Sequence, residues 1–156
     1  MTSRRDFLLF SSCALVSSKA AAQLPPNIEA LRRAALEEAL RKVAGDAQVR
    51  AGKVKLEVPP LIDNGNTVPI TVSVDSPMTE TDHVKAIHVL TERNPQPYVM
   101  SAHLGPRSGR ARIATRIRIA DTGKVIAIAQ LSDGSYWSDT VSVVVTLSAC
   151  LEDGLI

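Results

Sequence analysis

The period of the apolar positions changes once along the chain. In "NIEALRRAALEEALRKVAG", Ile28, Leu31, Ala35, Ala39 and Val43 recur at helical spacing, which predicts an amphipathic α-helix. Asn27 is placed to cap its start, Glu29 puts a negative charge in the first turn, and Gly45 is placed to end it in the left-handed conformation. The stripe is rich in alanine, so it predicts close approach to a neighbouring surface. From Lys53 onward the pattern alternates with a period of two. The runs "KVKLEV", "TVPITVSVD", "VKAIHVLTE", "YVMSAHL", "RARIATRIRIA", "KVIAIAQLS" and "TVSVVVTLSA" are strand candidates rich in Val, Ile and Thr. Between them lie "DNGN", "NPQP", "DTGK" and "SDGS", whose residues tolerate positive φ or fix φ in turns. Asp133-Gly134 predicts a tight hairpin. About seven short strands with no helix between them predict an all-β fold, an immunoglobulin-like antiparallel β-sandwich preceded by one amino-terminal α-helix.

Residues 1–22 carry a different pattern. Arg4 and Arg5 precede the short apolar run "FLLFSSCALV", and Ala20-Ala21-Ala22 offers a small-residue cleavage site, so the segment reads as a secretory signal. The order of Ser, Arg-Arg, Phe and Leu in "SRRDFLL" specifies the twin-arginine pathway, hence a periplasmic protein exported in folded form and not inserted in the membrane after cleavage. Cys13 does not fit a lipid acceptor, because only four apolar residues precede "SSC". The expected organisation is a signal at 1–22, a helix-plus-sandwich domain at 23–147 and a carboxyl-terminal arm at 148–156.

Removal of the signal changes the charge balance. Of 18 basic and 16 acidic residues, Arg4, Arg5, Lys19 and Asp6 lie in the signal, so the remainder has a formal net charge of zero. A nucleic-acid surface requires a basic stripe, and the densest candidate, "PRSGRARIATRIRI", spaces its arginines like the solvent face of a strand. Both phenylalanines lie in the signal, leaving Tyr98, Tyr136 and Trp137 as the aromatics of the mature chain. Stacking platforms for single strands are thus nearly absent, and no nucleic-acid partner is expected.

Cleavage also removes Cys13, which leaves Cys150 as an odd cysteine in an oxidising compartment. Such a thiol pairs between chains, reacts, or is buried and inert. Glu152 and Asp153 beside it disfavour the thiolate, so any partner that uses it must supply the activation. Three histidines, His83, His88 and His103, are the remaining candidates. His88 and His103 fall on successive strand candidates and could face each other across a ladder, the beginning of a copper or zinc site. No third ligand at fixed spacing joins them, so packed or surface histidines are the expectation and no metal is assigned. Glu80 and Asp82 read as loop residues with surface or capping roles. No nucleophile elbow, zinc-protease helix, phosphate loop or C-x-x-C motif is present, so no catalytic residue and no enzyme activity are assigned.

The segments "DNGNTVPITVSVDSPMTETDHVKAIHVLTERNPQP" and "TRIRIADTGKVIAIAQLSDGSYWSDTVSVVVT" resemble the SoxY family of thiosulfate oxidation carrier proteins. The resemblance implies an immunoglobulin-like fold, a periplasmic location and a heterodimer with a SoxZ-like subunit. It also implies a non-enzymatic role in which a carboxyl-terminal cysteine, here Cys150, carries a covalent sulfur or thiosulfate adduct between the cytochrome, hydrolase and sulfur dehydrogenase of the pathway. No separate cofactor is implied. The family's arm ends in Gly-Gly-Cys-Gly-Gly, whereas this chain reads Ser148-Ala149-Cys150-Leu151-Glu152, which predicts a stiffer and bulkier arm. The alternative is a SoxY-like heterodimer or binding module without carrier chemistry, and, after it, a small metal-binding sandwich.

Overall fold

Helix α1 spans Ile28–Ala44 and begins at the expected cap. The Asn27 side-chain oxygen accepts hydrogen bonds from the N–H groups of Glu29 at 3.1 Å and Ala30 at 3.3 Å, satisfying donors that a helix start leaves without partners. At the other end the Gly45 N–H donates to the carbonyl of Arg41 at 2.8 Å. Gly45 has φ 59° as expected, but its ψ of −129° lies outside the left-handed helical well.

The computed structural model describes residues 27–149 of the 156-residue chain. Among them nine strands follow α1: β1 (Val49–Ala51), β2 (Val54–Glu57), β3 (Leu61–Ile62), β4 (Val68–Val74), β5 (Val84–Thr91), β6 (Tyr98–His103), β7 (Arg112–Ile117), β8 (Gly123–Leu131) and β9 (Tyr136–Val145). The seven predicted runs all fall on strands. The additional β1 and β3 are two or three residues long, too short for alternation to reveal. A large sheet has the order β1-β9-β8-β5-β6, with β3 also against β9, and a small sheet has the order β2-β4-β7. Strands β1 and β3 run parallel to β9, pairing Val49 with Tyr136 and Leu61 with Val144. The other ladders are antiparallel.

Alternation decides which side chains meet between the sheets. Val68, Ile70 and Val72 of β4 face Ile87 and Val89 of β5 and Val125 and Leu131 of β8, all nearly or fully buried in one core cluster. Strands β5 and β8 are buried on their other face as well, because Leu90 and Ile128 lie beneath α1. The helix face that meets them shares Ala39 and Val43 with the predicted stripe and adds Leu36 and Leu40, while Ile28 and Leu31 are exposed. The carboxyl-terminal half of the helix does the packing, and the small Ala39 lets its backbone approach the sheet. The predicted β8–β9 hairpin forms through Ser132–Gly134, with Gly134 at φ 83° and the Leu131 N–H donating to the Ser135 carbonyl at 3.0 Å. The Asp133 carboxylate accepts from the hydroxyl and the N–H of Ser135 at 2.7 and 2.8 Å, which holds its pKa below the ordinary aspartate value.

The expected signal at 1–22, and Cys150 with the rest of the expected arm to residue 156, lie outside the described residues.

Candidate functional site

Strand β9 delivers the chain toward Cys150, and what secures its exit defines the base of the candidate arm. The Thr146 N–H donates to the carbonyl of Ile62 at 2.9 Å, and the Thr146 hydroxyl reaches the carbonyls of Ile62 at 3.3 Å and Asp63 at 3.1 Å. The Gly65 N–H donates to the carbonyl of Leu147 at 2.8 Å, and the Gly65 carbonyl accepts from the Ile119 N–H at 2.9 Å. Residues 62–65 thus form a clasp over Thr146 and Leu147. On the preceding residue, the Val145 N–H donates to the hydroxyl of Thr122 at 3.0 Å.

Gly65 is the residue on which the clasp closes. A Cβ there would press into the carbonyl oxygen of Ile119 and sit 3.1 Å from the nitrogen of Ala149 and 3.2 Å from the oxygen of Leu147. The requirement is close backbone approach, for which a hydrogen in place of a side chain suffices. Asn64 shapes the loop around it, its side-chain oxygen accepting from the Asn66 N–H at 2.9 Å and the Asn66 amide nitrogen at 3.0 Å. Sequence reading found in "DNGN" only a turn. Local pattern indicates that a glycine bends the chain there, but not that residues some eighty positions later would close upon it.

The histidines take up other positions. His88 pairs in register with Ser101 and His103 with Ala86, so the two are diagonal neighbours on the outer face of the large sheet, with rings 6.4 Å apart at 89°. One nitrogen of His88, Nδ1, is hydrogen-bonded to the hydroxyl of Tyr98 at 2.9 Å. Burial, and then the charge of His103, hold the pKa of His88 below the ordinary histidine value. His83 Nδ1 meets the carbonyl of Thr79 at 3.1 Å, away from this pair. Among the described residues no group of three or more His, Cys, Asp or Glu side chains is arranged to hold a metal. Glu80 and Asp82 are exposed, and the Asp82 N–H is capped by the Thr79 hydroxyl at 3.0 Å.

The arginine-rich run behaves as a strand face. Arg110, Arg112, Arg116 and Arg118 are exposed while Ala111, Ile117 and Ile119 are buried. No helix among the described residues is long and apolar enough to cross a membrane.

A family model for the sulfur oxidation protein SoxY matches residues 40–150. The chain belongs to the SoxY family. Its SoxY match opens in the half of α1 that packs on the sheet, takes in the strands and the clasp, and ends on Cys150. The solved sulfur carrier protein SoxY from Chlorobium limicola f thiosulfatophilum superposes with a TM-score of 0.61 at 24% identity, over 74% of this chain and 99% of that one. Two superoxide reductases share the fold. That of Ignicoccus hospitalis (Neelaredoxin) gives a TM-score of 0.54 at 15% identity over 60% of this chain and 80% of that one. That of Nanoarchaeum equitans gives 0.52 at 12% identity over 62% and 100%. No curated protein matches the chain.

Proposed function

We propose that this SoxY-family protein is a periplasmic, non-enzymatic sulfur carrier. In this reading it is exported by the twin-arginine pathway, pairs with a SoxZ-like subunit, and holds sulfur intermediates covalently on Cys150 while partner enzymes act on them. The observation that carries the reading is that the family match ends on Cys150, the cysteine that remains once a signal at 1–22 is removed. The description of the Chlorobium protein as a sulfur carrier supports it.

The chemistry asks little of the chain itself. Joining a cysteine thiolate to the outer sulfur of thiosulfate forms a sulfur–sulfur bond and releases two electrons, which a cytochrome partner would accept. The chain supplies the thiol and its placement, and the partners supply thiolate activation, electron acceptance and hydrolysis. A clasp at Thr146 and Leu147 suits that division, since it gives the thiol a fixed base from which to be presented.

Intact-mass measurement of the native protein from thiosulfate-grown cells tests the reading. A sulfur-containing adduct that disappears on reduction and is missing from Cys150→Ser is the expected result, whereas free thiol alone in the native protein would overturn it. The replacement of the family's arm glycines by Ser148, Ala149, Leu151 and Glu152 favours a second reading, a SoxY-like binding module without carrier chemistry. A Cys150→Ser strain that oxidises thiosulfate at the normal rate would select that second reading.

A further inference from the structure

Three large apolar side chains stand in solvent around the clasp: Leu61 and Leu147 are each 59% exposed and Val144 is 51% exposed. Leu61 and Val144 are register partners in the β3–β9 ladder, so they project from the same face. Their neighbours Ile62 and Val145 point the other way, into the core. Beside the patch an open hollow of about 190 Å³ is lined by Pro59, Leu61, Asp63 and Pro69 among others. The polar residues Asp63, Asn64 and Thr146 rim the patch and are exposed.

We infer that Leu61, Val144 and Leu147 form the docking footprint of one partner, the enzyme that joins thiosulfate sulfur to the Cys150 thiol and passes the electrons to cytochrome. The inference rests on the carrier reading and adds to it the surface by which such an enzyme is held. The length of the tether carries the argument. Among the described residues the last backbone tie is the Leu147 carbonyl to Gly65, and only Ser148 and Ala149 separate Leu147 from Cys150. Three residues of fully extended chain span at most about 11 Å. An enzyme whose pocket receives the thiol must therefore bring its pocket mouth within that distance of Leu147, onto this surface. A complementary occupant has an apolar rim around its thiol pocket and a side chain able to enter the hollow by Pro59 and Pro69. An apolar centre with a polar rim is the usual anatomy of such a contact.

The test uses the full-length mature protein in its native complex. Periplasmic extract from thiosulfate-grown cells lacking the gene is titrated with purified complex, and thiosulfate-dependent cytochrome reduction is followed. The variants are Leu61→Thr/Val144→Thr/Leu147→Ser and the single change Val144→Thr, which keeps a β-branched residue in the ladder. For the triple variant the concentration of complex giving half-maximal rate should rise roughly tenfold or more, with the maximal rate preserved, as when central apolar contacts of an interface are truncated. Val144→Thr should shift it in the same direction by less. Alkylation of Cys150 by iodoacetamide, which needs no docking, should proceed at the wild-type rate.

Unchanged titration curves, alongside a Cys150→Ser protein that supports no oxidation, would overturn the docking inference and leave the carrier reading standing. Full activity of Cys150→Ser would remove both. Loss of the companion subunit, or of a second copy, from the triple variant in native mass measurements would assign the patch to that chain and overturn the inference.

Discussion

Two regions of the large sheet hold neighbouring segments together by different means. At its centre, Ile87, Val89, Val125 and Ala129 have no exposed surface, and α1 covers the opposite face of the same strands through Ala39, Leu40 and Val43. At its outer edge, Thr146 and Leu147 are secured by hydrogen bonds to Ile62, Asp63 and Gly65 while the Leu147 side chain stands in solvent. Fully burying a branched aliphatic side chain contributes about 1.5–3 kcal/mol, whereas an intramolecular hydrogen bond contributes a net of about 1 kcal/mol. The centre therefore opens only with the whole fold, while the edge can open locally at lower cost. In the proposed carrier reading, the segment that leads to Cys150 belongs at the second kind of place, where a partner can engage it without disturbing the core.

The largest effect that would break this contrast lies at the centre. Ile87→Ala should destabilise the protein by about 2–5 kcal/mol, read from the urea midpoint, because β5 is sealed between the small sheet and the helix and cannot collapse easily around the cavity. A midpoint unchanged from wild type would show that the centre is not the stabilising region. Gly65→Ala should cost less, about 1–3 kcal/mol, since the added methyl must push against backbone at Ile119, Leu147 and Ala149. Its distinguishing signature is local: amide exchange should accelerate at Gly65, Ile119 and Thr146 while the amides of β5 and β8 stay protected. Uniform acceleration across both regions would mean that the clasp is part of the global cooperative unit.

The smallest effect concerns the half-buried outer face of β5. The folded state holds His88 below its ordinary pKa of 6.5, so the unfolded chain binds the proton more readily. The contribution of His88 to stability is present above about pH 6.5 and is lost as pH falls through the depressed folded value. His88→Gln, which keeps a partner for Tyr98, should flatten this part of the pH–stability curve. An identical pH dependence in the variant would assign the titration to another group.

The elements differ in how legible they are. Asn27 as a helix cap and Gly134 as a hairpin residue act through neighbours a few positions away, so local sequence was enough to place both. The helix stripe was right at Ala39 and Val43, but periodicity marks Ile28 and Leu31 equally, and only the position of the sheet leaves those two exposed and brings Leu36 and Leu40 into the contact. The strand pattern allowed His88 and His103 to meet across a ladder, with packed or surface histidines as the expectation. Their diagonal register, with Tyr98 taking one nitrogen of His88, follows from a β-bulge at Val89/Leu90 and a ladder that no single strand encodes.

By itself the sequence determined the helix, seven alternating strands, the turns between them, the Cys150 position and the SoxY resemblance, because each is written in nearest-neighbour patterns or contiguous motifs. Only the tertiary structure decided that β3 lies parallel to β9, that Gly65 closes over Leu147, and that Leu61, Val144 and Leu147 gather where β9 leaves the sheet. Those contacts join residues about eighty positions apart. They depend on how two sheets stack and where the last strand leaves them, information that is distributed over the whole core.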